Sequence, residues 1–335
     1  MNSPLDATAP PKADSALATC RICRTSGEFP RWRVREMLHG TREAFDYVEC
    51  VGCGCVQIAD IPEDLSRFYP GDYFSFRSHR NLDRDPIRRF IDPRRVRSRF
   101  GGREVLGAIA EYISRPFDYL SWIKDAGLGK DARVLDVGCG AGKTLLNMAL
   151  GGFPEPTGVD PFIRETLRYR CGVTIHKEDL EAFASRRESS FDFIMFHNSL
   201  EHLVDPLAAL RLAQRMLAPS GRILVVVPVA DSWAWRHYRE DWFALDPPRH
   251  LHLLTQPAMA ILARNAGLTV LQSRSTGSLS QFAASERYRR DIPMSDKRRD
   301  RDLFSRRELA GWRRHAKELN TQGLGDQTMF FLGGP

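Results

Sequence analysis

An α/β fold built on an open, mostly parallel sheet is predicted by three features of the 335-residue chain. From Asp131 onward, short apolar runs alternate with amphipathic helical stretches, the order that lays helices over the faces of one sheet. The first run passes from Asp136 through three alternate glycines, Gly138-x-Gly140-x-Gly142, into a helical stretch. The amphipathic segment 204–218 stops at Pro219-Ser220-Gly221, and the apolar run Arg222–Val227 follows at once.

Taken in order, strands are expected at Arg133–Val137, Pro156–Val159, Val173–Ile175, Phe191–Phe196, Arg222–Val227, Leu268–Arg274 and Gln327–Leu332. Helices are expected near 143–150, 162–170, 204–218 and 256–266, and residues 283–320 read as a charged helical insertion before the last strand. This domain would run 131–335. Ahead of it, residues 1–18 read as a disordered polar leader without the basic start and apolar stretch of a secretory signal. Residues 19–75 hold five of the seven cysteines and form a small module, and 76–130 form a basic helical linker interrupted by Pro86, Pro93 and Pro116.

A hydrophobic content of 42% is ample for a buried core, and no apolar run approaches the length of a membrane span. Cysteines in close pairs point to a reducing, cytoplasmic setting and to metal or structural roles rather than disulfides. The formal charge of +7 is uneven: residues 77–103 carry ten arginines against three aspartates, and 286–317 carry twelve Lys/Arg against six acids. Such blocks are either solvated helix faces or a footprint for nucleic acid, anionic lipid or a phosphorylated substrate.

Residues 134–144, VLDVGCGAGKT, end like a nucleotide phosphate loop, but the first glycine of such a loop would fall on Val137. The third glycine of a dinucleotide fingerprint would fall on Lys143. Alternating glycines instead bring bare main chain to the carboxyl edge of the sheet, where ligands of doubly wound folds sit, and the next helix offers free N–H groups. Asp160, in GVD, closes the second strand, where a carboxylate can accept two hydrogen bonds from a ribose diol. Asp179, in KEDLE after the third strand, is placed to meet an adenine amino group.

The ordered motifs VLDVGCGAG, GVD, KEDLE, FDFIMFHNSLEHLVDP and LAPSGRILVVVP resemble those of class I S-adenosylmethionine-dependent methyltransferases over roughly residues 131–275. The resemblance implies a seven-stranded Rossmann-like sheet whose antiparallel last strand is GDQTMFFL, with S-adenosyl-L-methionine as cofactor. It implies that Asp136, Gly138, Cys139, Gly140 and Gly142 hold the methionine end, Asp160 the ribose, and Asp179 and Leu180 the adenine. His197 and Asn198 would line the cofactor beneath its methyl group.

Cys20-x-x-Cys23 and Cys50-x-x-Cys53 form two knuckles able to grip a tetrahedral structural zinc, with Cys55 as an alternative to Cys53. Cys139 reads as a small filler in the glycine loop and Cys171 as core. The stretch YVECVGCGCVQIADIPEDLSRFYPGDYF resembles the cysteine-rich N-terminal module of methyltransferases from sugar-nucleotide and surface-polysaccharide pathways. That resemblance implies a small-molecule acceptor, a sugar nucleotide or glycan intermediate. Sugar C-methyltransferases carry a large further domain after the last strand; its absence leaves O- or N-methylation as the expectation. Tyr69, Tyr73 and Phe74 would either face the substrate or pack.

The loop after the fifth strand, VADSWAWRHYREDWFALDPPRHLHLLT, holds His250 and His252 beside a Pro-Pro turn. Imidazole titrates near neutrality and is the natural base for a hydroxyl acceptor. In the resembling family a histidine just before this helix recurs in the active site, and His250 or His252 matches it. Trp233, Trp235, Tyr238 and Trp242 could stack on a sugar or base, or form a buried lid. In Asn198-x-x-Glu201-His202, Asn198 stands where some quinone O-methyltransferases have the first carboxylate of a cation site. No metal is therefore expected there, and Glu201 and His202 are expected to start and anchor the next helix. Two rival functions remain: an RNA or protein methyltransferase gripping a polymer with its basic segments, and a cofactor-binding scaffold without catalysis.

Overall fold

The computed structural model describes residues 14–69, 74–76, 79–113 and 118–334. The N-terminal part is a sheet of β1 (Asp14–Thr19), β2 (Ser26–Arg35), β3 (Ala44–Glu49) and β4 (Val56–Ile58), each antiparallel to the next. Strand β1 corrects the expected leader, because residues 14–18 pair in register with Arg31 to Gly27. Period-two alternation explains it: Ala16 and Ala18 pack toward the core while Leu17 points to solvent.

Four helices follow: α1 (Arg80–Asp83), α2 (Pro86–Arg99), α3 (Val105–Ile113) and α4 (Asp118–Asp125). Helix α2 starts where Asp85 accepts hydrogen bonds from the Ile87 and Arg88 N–H groups, with Pro86 in the first turn. Helix α4 buries Tyr119, Leu120, Trp122 and Ile123 against the larger sheet.

That sheet is assembled from β5 (Val134–Val137), α5 (Lys143–Leu150), β6 (Thr157–Val159), β7 (Leu167–Arg168), β8 (Thr174–His176), α6 (Leu180–Ala184), β9 (Phe191–His197), α7 (Pro206–Met216) and β10 (Leu217–Pro228). After α8 (Trp233–Tyr238), β11 (His252–Leu253) and α9 (Gln256–Asn265) come β12 (Thr269–Ser275), α10 (Ser280–Arg289), α11 (Asp300–Leu303), α12 (Arg306–Thr321) and β13 (Gln327–Gly333). The strand order is β12-β13-β10-β9-β5-β6-β8-β7, with β13 antiparallel to both neighbours. Strands β9 and β10 are apolar nearly throughout because both faces are covered.

Among the described residues the sheet has eight strands rather than the seven expected. The extra strand replaces the helix expected at 162–170: Leu167 and Arg168 pair antiparallel with Ile175 and Thr174. Side chains elsewhere satisfy this segment's main chain. The Asp83 carboxylate accepts the Arg170 and Cys171 N–H groups, and the Tyr169 hydroxyl donates to the Ala141 carbonyl at 2.8 Å. With those partners in place, helical hydrogen bonds are not required.

Strand β11 does not join the larger sheet. It pairs antiparallel with β4, His252 opposite Gln57, so the N-terminal sheet takes its fifth strand from the loop ahead of α9. Among the described residues no helix is long and apolar enough to cross a membrane.

Candidate cofactor and active site

Strand β5 ends in the glycine loop, and the loop leads into α5 as anticipated from the motif. Gly138 and Gly140 have φ of +73° and +55°, and the chain itself requires both. A Cβ on Gly138 would lie 2.6 Å from the Ser199 Cβ, and one on Gly140 would lie 2.3 Å from the Ser75 carbonyl oxygen. That carbonyl also accepts the Ala141 N–H at 2.8 Å, so residues 74–76 lie against the loop.

Asp136 is buried, and its Oδ1 has no hydrogen-bond partner. Burial, and then the neighbouring Asp160, push its carboxyl well above the usual range. Asp160 is buried too; its Oδ2 accepts the Gly140 N–H at 2.8 Å and its Oδ1 the Phe162 N–H at 2.9 Å. The Ile163 N–H is a third main-chain donor to this carboxylate. Two buried acids, one with an unanswered oxygen, suit a ligand that carries a cation and a diol. Asp179 caps α6 while its exposed carboxylate makes no capping bond, and Leu180 beside it is half-buried. The methionine, ribose and adenine positions implied by the sequence therefore lie in order along β5, β6 and β8.

His197 ends β9, its ring 5.0 Å from that of Trp122. Asn198 follows in a left-handed conformation, φ +54°, and its Oδ1 accepts a hydrogen bond from Gln327 Nε2 at 2.8 Å. A cavity of about 390 Å³ opens here, lined by Trp122, His197, Val226, Arg274, Gln327 and Met329. The residues from α4, β12 and β13 carried no motif, because only folding brings them to His197.

A second cluster forms where the loop after β10 meets the turn after β9. His250 Nδ1 donates to the Ala244 carbonyl at 2.7 Å, which leaves the lone pair on Nε2, 3.9 Å from Glu201 Oε1 and from Asp246 Oδ2. His202 Nδ1 donates to the Arg249 carbonyl at 2.9 Å, with the Tyr69 hydroxyl 3.2 Å from the same nitrogen. The two rings are 4.7 Å apart, and both Glu201 oxygens are buried without a partner. Burial pushes the Glu201 carboxyl up to about 8, holds His250 below its ordinary value, and pushes His202 down to about 3.

One ligand atom each from Glu201, His202 and His250 lie within 4.8 Å of one another, a set able to hold a cation. The expectation of no metal here rests on Asn198 in place of a carboxylate; the fold brings His250 beside Glu201 and His202. Glu201 and His202 also do not start the next helix. They form a 3₁₀ turn, and α7 begins at Pro206 under the Asp205 cap.

His252 is separate from this cluster. It is buried in β11 with Nε2 3.4 Å from the Val204 carbonyl, and burial pushes its pKa down to about 4. Trp235, Tyr238 and Trp242 are buried core residues, Trp235 packing edge-on against Trp32 at 5.4 Å. Trp233 is half-buried and stacks on His237. Tyr69 stacks on Phe162, next to Asp160, with ring centroids 5.6 Å apart. Tyr73 and the Phe74 side chain lie outside the described residues.

An ion-pair network fastens the histidine loop to the N-terminal sheet. Arg249 and Glu36 are both fully buried; Arg249 Nη2 donates to Glu36 Oε1 at 2.9 Å and to Asp246. The Tyr47 hydroxyl of β3 donates to the His250 carbonyl at 2.8 Å.

The sulfurs of Cys20, Cys23, Cys50 and Cys53 lie within 4.8 Å of one another, with Cys20–Cys53 at 3.7 Å and Cys23–Cys50 at 3.5 Å. Ligands 2.3 Å from a tetrahedral zinc would be about 3.8 Å apart. Main-chain N–H groups of Ile22 and Gly52 point at the Cys20 and Cys50 sulfurs, and thiol neighbours Cys53 and Cys55 lower the Cys20 pKa. The four thiols fit the ion. Cys55 is buried outside the set, its thiol directed at the Val56 carbonyl. Cys139 is a half-buried filler as expected, whereas Cys171 is half-buried rather than core.

Residues 107–273 match a family model described as a methyltransferase domain. A ubiquinone biosynthesis O-methyltransferase of Ralstonia nicotianae is 33% identical over 112 residues, 31% of this chain and 46% of that protein. The Xanthomonas oryzae enzyme of the same name is 34% identical over 101 residues, 28% of this chain and 42% of that one. The chain thus spans less than half the length of these curated relatives. A Thermotoga maritima structure described as a S-adenosylmethionine-dependent methyltransferase covers 72% of this chain and all (100%) of that one at 18% identity, with a TM-score of 0.41. The matched segment contains the glycine loop, both acids, the β9 terminus and the histidine loop, so residues 107–273 form a class I S-adenosylmethionine-dependent methyltransferase domain.

Proposed function

We propose that this chain transfers a methyl group from S-adenosyl-L-methionine to an oxygen of a small-molecule acceptor, a sugar nucleotide or related glycan intermediate. The observation that carries the reading is the unpartnered Oδ1 of buried Asp136 beside Asp160, a pair of carboxyl groups at the glycine loop. Asp136 and the Gly138–Gly142 loop would hold the methionine end, Asp160 the ribose, and Asp179 with Leu180 the adenine. The cofactor supplies an electrophilic methyl on a sulfonium. The chain aligns the acceptor and removes its proton. His250 is the proposed base: Nδ1 is committed to a carbonyl, so Nε2 is the accepting atom, and burial keeps the ring neutral. Local similarity to O-methyltransferases favours a hydroxyl over an amine. The sugar class rests on the resemblance of the cysteine module alone, and its four thiolates are proposed to hold a structural zinc.

Calorimetry with S-adenosylhomocysteine tests the cofactor part: wild type binds, and Asp160→Ala weakens binding at least tenfold. A radiolabelled methyl donor incubated with fractionated small-molecule extract then tests the acceptor class. Label appearing only in RNA or protein, or ligand affinity indifferent to Asp160, would refute the reading.

A further inference from the structure

Helix α3 crosses α2 at Gly107, where a Cβ would lie 2.2 Å from the Arg94 carbonyl oxygen, so only bare main chain fits. This contact sets which side of α3 faces inward, and it turns Val105, Leu106, Ile109 and Tyr112 outward. They are 76%, 55%, 50% and 93% exposed. Their spacing puts them on one side of the helix. On α2, Ile87 and Phe90 are also more than half exposed. Scattered exposed apolar residues are ordinary, but six on two packed helices mark a binding surface.

The charge on this helical pair is just as one-sided. Arg84, Arg89, Arg99 and Arg103 are exposed, with no ion pair among the described residues. Four acids described nearby are already engaged. Asp83 holds the Arg170 and Cys171 N–H groups, Asp85 caps α2, Asp92 pairs with Arg88 and Arg95, and Glu104 pairs with Arg97.

We propose that the α2–α3 pair docks on an anionic lipid surface, its apolar stripe at the acyl boundary and its arginines on the headgroup phosphates. An apolar side flanked by unpaired cations is the arrangement of helices that lie in a membrane interface. Neither helix is long enough to span a bilayer, so the chain would lie on the surface. A second copy of this chain is the weaker occupant, because a two-fold contact would set the same uncompensated arginines against each other.

Sedimentation of the full chain with phosphatidylcholine vesicles, with and without phosphatidylglycerol, tests this. Binding is expected to the anionic vesicles only and to weaken with salt. The variant Leu106→Ser/Ile109→Ser/Tyr112→Ser changes only exposed positions and should bind at least tenfold less. Arg89→Gln/Arg99→Gln/Arg103→Gln should lose roughly fivefold per arginine. Absence of vesicle binding, or equal binding by the variants, would overturn the proposal. So would dimerisation of the wild type that the serine substitutions abolish, or nucleic-acid binding that they leave intact while vesicles are ignored.

Discussion

Replacing Arg249 by Met should unfasten the histidine loop from the N-terminal sheet, and the structure sets the size of the effect. Both charges of the Glu36–Arg249 pair are fully buried. Removing one partner of a buried pair costs about 3–5 kcal/mol, mostly because the other charge is stranded. Two observations favour the low end. Glu36 keeps hydrogen bonds from the His39, Gly40 and Thr41 N–H groups and the Thr41 hydroxyl, and the Asp246 side chain is 14% exposed, so water can reach it. A melting temperature lowered by roughly 4–7 °C follows. The double variant Glu36→Gln/Arg249→Met should recover part of that loss, since the fully buried Glu36 charge is gone and only the partly exposed Asp246 is left without its cation.

The same pair sets an acid limit. Burial raises the Glu36 carboxyl, but hydrogen bonds from the His39 N–H, Arg249 and the Thr41 N–H outweigh it, so the folded pKa is lowered. Its stabilisation is present above the unfolded value of about 4.3 and is lost as pH falls through the lower folded value. Denaturation curves taken from neutral to acid pH should show that loss in wild type and not in the double variant. A single variant within about 1 kcal/mol of wild type at neutral pH would refute the reasoning.

Three further outcomes follow from the geometry. His250→Gln should cut methyl transfer by roughly 10²–10⁴-fold while leaving S-adenosylhomocysteine affinity within about twofold; His252→Gln should alter melting rather than turnover, because that ring is buried in β11. Gly140→Ala should weaken cofactor binding and stability together, because its Cβ would strike the Ser75 carbonyl at 2.3 Å; circular dichroism melts and calorimetry read the two effects separately. Cys23→Ser, or a strong chelator, should release one zinc per chain by atomic absorption and lower the melting temperature, whereas undiminished stability with no metal released would remove the zinc assignment.

What the sequence made legible was what is local. The glycine loop, Asp136, Asp160 and the cysteine knuckles are short runs whose spacing carries their chemistry, and each sits where its own segment places it. The helix expected at 162–170 was wrong because its partners come from elsewhere: Asp83 from α1, and Ala141 from the glycine loop, reached by Tyr169. The same distance hid the histidine cluster. Nothing in NSLEH announces His250, and nothing in PPRHLH separates His250 from His252. Only the two-residue strand β11 does that, by giving His252 to the N-terminal sheet and leaving His250 at its edge, facing Glu201. Arg249 is likewise mute in sequence, since its partner Glu36 lies 213 residues away, between the two cysteine knuckles.

These contacts bear on what the cysteine module is for. A docking unit hung on a linker would share few contacts with the domain, whereas this one is continuous with it. Its sheet is completed by β11, the Thr255 hydroxyl that caps α9 also donates to the Cys53 carbonyl at 2.6 Å, and Tyr47 and Glu36 hold the main chain and the ion pair on either side of His250. Four thiols drawn together at one end of that sheet thus set the path of β4, β4 sets β11, and β11 fixes where His250 stands relative to His202 and Glu201. The proposed zinc would then act on catalysis without touching acceptor or cofactor, by holding the frame on which the proposed base is mounted.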